Sequence, residues 1–409
     1  MNAVLLLMGL LVLSYLGSVL VGGRTVRGAG LPSGVEYVAL GFVLGPSALD
    51  LVGGDMLASF EPVVQVALGW LAFAVGLDFG YAGERRARAG NVALATLGAL
   101  VTGGAVAGAT WMVVRRLHVG ATMTEQFLLA GGVGVACSET TRQAVRWVVD
   151  RHSAKGPLSE QLNEIAHTDD LLPLLAVAVL FALSPATHIP MRFPLLEWPA
   201  ITVGLGLLLG AGAALLVRSE LKLDETWAIL FGVSLIAIGT TARLGLSTLT
   251  ASFFAGIAVS LLSKHGKELR AMVAPTERPV LLPALLLAGA HLSFHDNPRL
   301  PWIAVTAITV RFATKIVIGW ILAATSPAAR KAGAFVGLSM MSSGALAMSI
   351  GLAFALRFPG MLGDTVLVVA ALSATVGEFV GPARLRVALR RAGEMNESTP
   401  APTPQRAPA

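Results

Sequence analysis

The chain has 409 residues, of which 55% are hydrophobic and only 13% are charged, and its formal net charge is +6 at pH 7. This composition, with a mean hydropathy of +0.73, excludes an ordinary soluble domain and is typical of a polytopic membrane protein. The basic residues fall in short segments between apolar runs, so no nucleic-acid partner is expected despite a sequence pI near 9.9. The single cysteine, Cys137, excludes an internal disulfide.

Apolar runs long enough, or nearly long enough, to cross a bilayer recur about thirteen times along the chain. The sequence therefore predicts an all-α polytopic membrane protein. We number its predicted helices as spans 1 to 13, at Ala3–Val21, Leu31–Val52, Phe60–Tyr81, Asn91–Val114, Thr122–Val149, Ser159–Leu183, Trp198–Val217, Thr226–Thr241, Leu246–Leu262, Pro279–Phe294, Pro301–Ala324, Ala332–Leu356 and Asp364–Leu385. The apolar N-terminus is interpreted as span 1 rather than as a signal sequence, because no charge follows Met1 and no clear cleavage site appears.

The loop charges predict the orientation of these spans. Nineteen lysines and arginines fall on one predicted side and six on the other, so the first side is expected to be cytoplasmic. The N-terminus is then outside and the C-terminus inside, which requires an odd number of spans. Residues 1–391 are predicted to form one membrane domain, and residues 392–409, rich in Pro and Ala, a disordered cytoplasmic tail.

Span 6 carries two adjacent carboxylates near its middle, Asp169 and Asp170. An aspartate at the bilayer centre costs about 2.5–3.5 kcal/mol and a leucine returns only about 0.5. Ionisable residues at this depth indicate a site for an ion or a proton, and the alternative is a buried structural salt bridge. Pro173 has no N–H, so the Asp169 carbonyl loses its helical donor. Oxygen ligands of this kind suit a hard cation such as Na⁺, although Pro173 could equally be a plain kink.

Spans 5 and 12 are each interrupted by a polar, small-residue segment, CSETTRQ and SMMSSG. The interruptions lie seven spans apart, so an odd offset turns one upside down relative to the other. This is the pattern of an inverted repeat in which two broken helices cross and binding occurs near the midplane. The alternative is ordinary Ser/Thr packing between helices. The candidate supporting residues in the two breaks are Ser138, Glu139, Thr140, Ser339, Ser342 and Ser343.

Span 11 places Lys315 near the midplane, with Arg311 on the same helical face. Because neighbouring helical residues point about 100° apart, Asp169 is expected to face Lys315 while Asp170 faces the ion path. A salt bridge between Asp169 and Lys315 is predicted for the inward, cation-free state, and the alternative is a static bridge between spans 6 and 11.

Other polar residues of these spans have simpler predicted partners. Glu139 and Arg142 are spaced to pair with each other. Glu378 of span 13 is a candidate to balance Arg311, and Thr168 is a supporting candidate next to the two aspartates. His167 is expected to be a hydrogen-bonded helix-end histidine, with pH sensing as the alternative.

Nearly all of residues 1–390 resembles the monovalent cation–proton antiporters, especially the bacterial second cation:proton antiporter family. The resemblance rests on LGFVLGPSALDLV, LGWLAFAVGLDF, the broken span 5, DDLLPLLAV and ATKIVIGWILA. It implies that Asp170 carries the ion or proton as a transient cation ligand. Asp169 matches a position that is aspartate in electrogenic members, and Lys315 matches its lysine partner.

The resemblance further implies Na⁺ (or K⁺ or Li⁺) exchange for H⁺ by alternating access in a bacterial inner membrane. Residues 91–184 and 301–385 would form a moving core, the other helices a scaffold and homodimer interface, and no cofactor is implied. Two features depart from the family pattern, namely Glu139 in the first break and the absence of a glutamate or glutamine in the second. No nucleotide-binding domain follows, which disfavours the potassium-efflux branch.

Three other functions compete with exchange. A sodium-coupled solute symporter on a related fold is the main alternative. An intramembrane aspartyl protease needs two aspartates on separate helices, whereas these are adjacent and no GxGD string occurs. A channel is the third, but the sequence has no evident ring of charged filter residues.

Overall fold

The computed structural model describes residues 34–81, 88–119, 122–184, 194–195, 197–217, 223–263, 265–292 and 298–395, and these contain helices and no strands. The helices are α1 Val35–Leu44, α2 Gly54–Tyr81, α3 Ala89–Arg116, α4 Met123–Ser138, α5 Arg142–Arg151, α6 Pro157–Thr168, α7 Leu171–Ala182, α8 Glu197–Leu216, α9 Leu223–Leu244, α10 Thr248–Leu262, α11 Gly266–Ala290, α12 Leu300–Thr325, α13 Pro327–Arg330, a 3₁₀ helix Ala334–Met340, α14 Ala345–Arg357 and α15 Met361–Ala392. Spans 2 to 13 are therefore confirmed as helical, while span 1 lies outside the described residues.

Eight helical segments of the described chain are long and apolar enough to cross a membrane, if α6 and α7 count as one segment, and the 3₁₀ helix with α14 forms a further bent pair. Span 2 is shorter than predicted, because Gly45 and Pro46 end α1 after ten residues. Span 10 begins earlier than predicted, because α11 starts at Gly266 and continues through Pro275 and Pro279. Prolines are tolerated inside membrane helices when neighbouring groups satisfy the backbone.

Span 6, predicted as one helix, is interrupted between α6 and α7 at Asp169 and Asp170. The amide of Asp169 still bonds the Ile165 carbonyl at 3.1 Å, and the amide of Leu174 reaches the Asp170 carbonyl at only 3.5 Å. Pro173 has no amide to donate to the Asp169 carbonyl. The loss of this hydrogen bond explains why the helical ladder breaks at the two carboxylates.

The helices pack as two groups. The scaffold group contains α1, α2, α8, α9, α10 and α11, in which α10 packs against both α2 and α8. The core group contains α3 to α7, α12, the 3₁₀ helix, α14 and α15, in which α3 packs against α4 and α12. Gly76 of α2 lies against the backbone of Phe253 in α10, where no Cβ would fit, so the scaffold backbones approach closely.

The C-terminal end of α15 returns to the helix that carries the two aspartates. Glu394, which we assigned to the disordered tail, accepts hydrogen bonds from the amides of Leu158 and Ser159 at 2.6 and 2.8 Å. These are among the free N–H groups at the start of α6, where a carboxylate is favourable. Glu394 is therefore packed against the rest of the described chain, and residues 396–409 lie outside it.

Candidate functional site

The two interrupted spans cross and bond to each other. The first break lies between α4 and α5, and the second lies between the 3₁₀ helix and α14, with a bend of 58°. The amide of Thr141 donates to the Ser342 carbonyl at 2.8 Å, and the Thr140 hydroxyl donates to the Met340 carbonyl at 3.3 Å. Backbone groups freed by the two breaks thus satisfy each other across the crossing, and the predicted discontinuity of both spans is confirmed.

Glu139 holds the first break against the start of α14. Its carboxylate accepts from the amides of Gly344 and Ala347 at 3.2 and 2.9 Å, and the residue is 2% exposed. The free amides at a helix N-terminus and the helix dipole both favour a negative charge at this position. The predicted pairing of Glu139 with Arg142 is therefore wrong, because α14 supplies the partners of this carboxylate.

Glu139→Ala is expected to lower the free energy of unfolding by about 2 kcal/mol, since it removes a charged cap and leaves two buried amides without an acceptor. Glu139→Gln retains an acceptor oxygen and should retain most of the stability. Denaturant titration of the purified protein in detergent measures both variants against Glu268→Ala, a change at an exposed glutamate. Equal stability of Glu139→Ala and the parent chain would contradict the cap.

Lys315 bonds the Thr140 hydroxyl and not the Asp169 carboxylate. The Lys315 ammonium donates to the Thr140 hydroxyl at 2.8 Å, and this hydroxyl gives its own hydrogen to the Met340 carbonyl. Lys315 and Asp169 are each 3% exposed. Among the described residues the two groups form no direct salt bridge, so the Lys315 ammonium bonds the Thr140 hydroxyl in place of the predicted ion pair.

Arg311 also takes partners other than the predicted one. Its side chain is fully buried and donates to the Ser373 hydroxyl at 2.6 Å and to the Glu139 carbonyl at 2.8 Å. Glu378 is buried as well, but it does not accept from Arg311. Arg311 therefore ties α12 to the first break and to α15, and it places a fixed positive charge beside the crossing.

The two aspartates have different surroundings, as the helical geometry predicts. Asp169 is buried towards Thr140 and Lys315, whereas Asp170 is only half-buried and lies in the field of Arg142. Arg142 is ion-paired with Asp78 of α2, and it lies 2.9 Å from Nδ1 of His167. His167 is thus a hydrogen-bonded helix-end histidine, as expected.

The remaining candidate residues divide into bonded and unbonded hydroxyls. The Ser138, Ser339 and Thr168 hydroxyls donate to carbonyls of their own preceding turns. The Ser342 hydroxyl reaches the Gly377 carbonyl at 3.4 Å, whereas the fully buried Ser343 hydroxyl has no hydrogen-bond partner within the described part of the chain. Of this set, Ser343 is the hydroxyl available to an additional ligand.

Asp78 joins the charged residues of the site but was not singled out from the sequence, although the string LGWLAFAVGLDF contains it. Its carboxylate receives Arg142 from the core group and Arg270 from α11 of the scaffold group. A carboxylate within a predicted span is the signal that would have identified it. Its partners lie 64 and 192 positions away along the chain, so their identity was not readable from local spacing.

The chain is similar to a known protein family in sequence and to solved structures in fold. A family model described as "Sodium/hydrogen exchanger, transmembrane" matches residues 12–383. The structure of the sodium proton antiporter MjNhaP1 from Methanocaldococcus jannaschii at pH 8 is similar, with a TM-score of 0.69, 13% identity, and coverage of 96% of this chain and 99% of that one. A structure of the same antiporter from an electron-microscopy map has a TM-score of 0.67 and 15% identity, and the match covers 97% of this chain and 100% of that one. No curated protein matches this chain by sequence.

Proposed function

The chain belongs to the sodium/hydrogen exchanger family and is a membrane cation:proton antiporter, and from this premise we propose that it exchanges Na⁺ for H⁺ by alternating access and with net charge movement. K⁺ and Li⁺ are the alternative cations. The observation that carries the proposal is the crossing of two broken helices beside a half-buried carboxylate, Asp170. Broken helices that bind near the membrane midplane are the shared device of transporters with inverted repeats.

The surroundings of the two aspartates support different roles for them. Asp170 has residual exposure, so it would bind the cation and the proton in alternation. Asp169 is closed off beside Thr140 and Lys315. The negative charge of Asp169 favours the protonated form of Lys315. A cation at Asp170 would offset part of that charge and lower the affinity of Lys315 for its proton.

The division into a core group and a scaffold group supports alternating access. All of the proposed ion-site residues, Asp169, Asp170, Thr140 and Lys315, belong to the core group. Movement of this group past the scaffold group would expose Asp170 to one side and then to the other. The scaffold group is our proposed homodimer interface, and the side with most basic residues is our proposed cytoplasmic side of a bacterial inner membrane.

Proteoliposomes with an acidic lumen test the exchange. Addition of Na⁺ outside is expected to dequench a pH-sensitive dye, because entering cations drive protons out, and Li⁺ and K⁺ additions rank the selectivity. Choline chloride additions and protein-free liposomes are the controls. A sodium-coupled symporter would leave the lumen pH unchanged without its solute, so the absence of dequenching with all three cations would reject exchange.

A further inference from the structure

Within the described residues, a network of two ion pairs lies between the two helix groups. Asp78 of the scaffold helix α2 pairs with Arg142 of the core helix α5 and with Arg270 of the scaffold helix α11. The three side chains are 16% to 30% exposed. Asp78 therefore holds a core arginine against the scaffold at a point where some solvent access remains.

Arg142 is held from the core side as well. Its guanidinium lies 2.9 Å from Nδ1 of His167. Because a guanidinium has no acceptor, Nδ1 must accept this hydrogen bond and the imidazole proton lies on Nε2. His167 precedes Asp170 by three residues, so the two lie on neighbouring positions of the helix surface. Arg142 is thus fixed on the side of Asp170 that faces the start of α6.

A tethered cation at this position has a direct consequence for transport. Arg142 interacts electrostatically with Asp170 and carries the same charge as the ion that Asp170 would bind. While Arg142 remains bonded to Asp78, a cation approaching from this side meets a like charge and a closed contact between the two helix groups. Pairs with this degree of exposure remain partly hydrated, so they separate more readily than fully buried pairs do.

We propose that Arg142 and Asp78 form a charged gate between the core and scaffold groups, which closes Asp170 to the side of the membrane on which α6 begins. The proposal rests on the proposed exchange function and adds to it the residues that control access. Movement of the core group separates Arg142 from Asp78 and opens the approach to Asp170. Arg270 remains on the scaffold group and keeps Asp78 paired when Arg142 leaves.

Reporter cysteines test the gate in a Cys137→Ala chain, which removes the single native cysteine. Leu171→Cys places one reporter next to Asp170. Ala353→Cys places a second reporter in the cavity on the opposite side, which is lined by α2, α7, α14 and the turn between α9 and α10. A membrane-impermeant maleimide is applied to inside-out vesicles and to intact cells. Asp78→Asn is expected to raise labelling of position 171 several-fold from the α6 side, and to lower labelling of position 353 from the other side.

Three variants make the outcome decisive. Asp55→Asn removes an exposed carboxylate from the same helix and should leave both labelling rates unchanged. Arg142→Gln should reproduce the effect of Asp78→Asn, and Arg142→Lys, which retains the charge, should restore part of the low labelling at position 171. Unchanged labelling in both Asp78→Asn and Arg142→Gln, with each protein monodisperse by size exclusion, overturns the gate.

The labelling needs no ion gradient, so it separates the gate from the transport function. Labelling that changes as expected in a chain without cation-dependent dequenching supports the gate and rejects the exchange function. If the parent chain shows cation-dependent dequenching but the substitutions at Asp78 and Arg142 leave the labelling rates unchanged, the exchange function is supported and the gate is rejected.

Discussion

Asp170→Asn is expected to abolish cation–proton exchange while the protein still folds and inserts in the membrane. The substitution keeps the size of the side chain and removes its negative charge and its proton site, so neither substrate retains its ligand. Because Asp170 is half-buried at a break between two helices, loss of its charge also removes a desolvation cost and should not lower stability. Dye dequenching in proteoliposomes at matched protein density measures the loss.

The control for this experiment is Asp150→Asn, which removes an exposed carboxylate near the end of α5. Its exchange rate should equal that of the parent chain. Normal cation-driven proton flux in Asp170→Asn would contradict the assignment of Asp170 as the carrier and would direct attention to Asp169.

Lys315→Ala is expected to lower the free energy of unfolding by about 3 kcal/mol, the lower end of the range for breaking a buried charge pair. The substitution leaves Asp169 buried without its nearest cation, and Thr140 loses the donor that bonds its hydroxyl at 2.8 Å. The lower end is expected because Lys315 and Asp169 form no direct salt bridge and the Lys315 ammonium bonds Thr140 instead. The double variant Asp169→Asn with Lys315→Gln leaves no unpaired charge and should recover part of the loss.

The same double variant tests the proposed electrogenic mechanism. If Lys315 releases a proton when a cation binds at Asp170, exchange moves two protons for each cation. The double variant should then transport without net charge movement, because Lys315 is absent as a proton carrier. Current on a solid-supported membrane, measured alongside pH-linked flux, gives the charge moved per proton. An unchanged ratio in the double variant would leave Asp169 and Lys315 with a structural role only.

The sequence predicted the architecture of the membrane domain because hydropathy is a local property of the chain. Each apolar run from span 2 onwards became a helix, and the two polar interruptions became breaks that expose backbone groups. Helix ends were less well predicted where proline is concerned. Pro275 and Pro279 sit inside α11, whereas the loss of the Pro173 amide coincides with an interruption at Asp169 and Asp170, where the backbone angles remain right-handed helical.

The sequence by itself determined that the chain is embedded in a membrane and that spans 5 and 12 are broken, and it predicts that two carboxylates and a lysine lie near the membrane midplane. Only the tertiary structure decided the partner of each charge. Glu139 was spaced to pair with Arg142 and instead caps α14, 205 positions away, while Arg142 bonds Asp78, 64 positions away. The reason is that a long buried side chain bonds whichever polar group the helix packing brings within about 3 Å, and local spacing along one helix does not specify that packing.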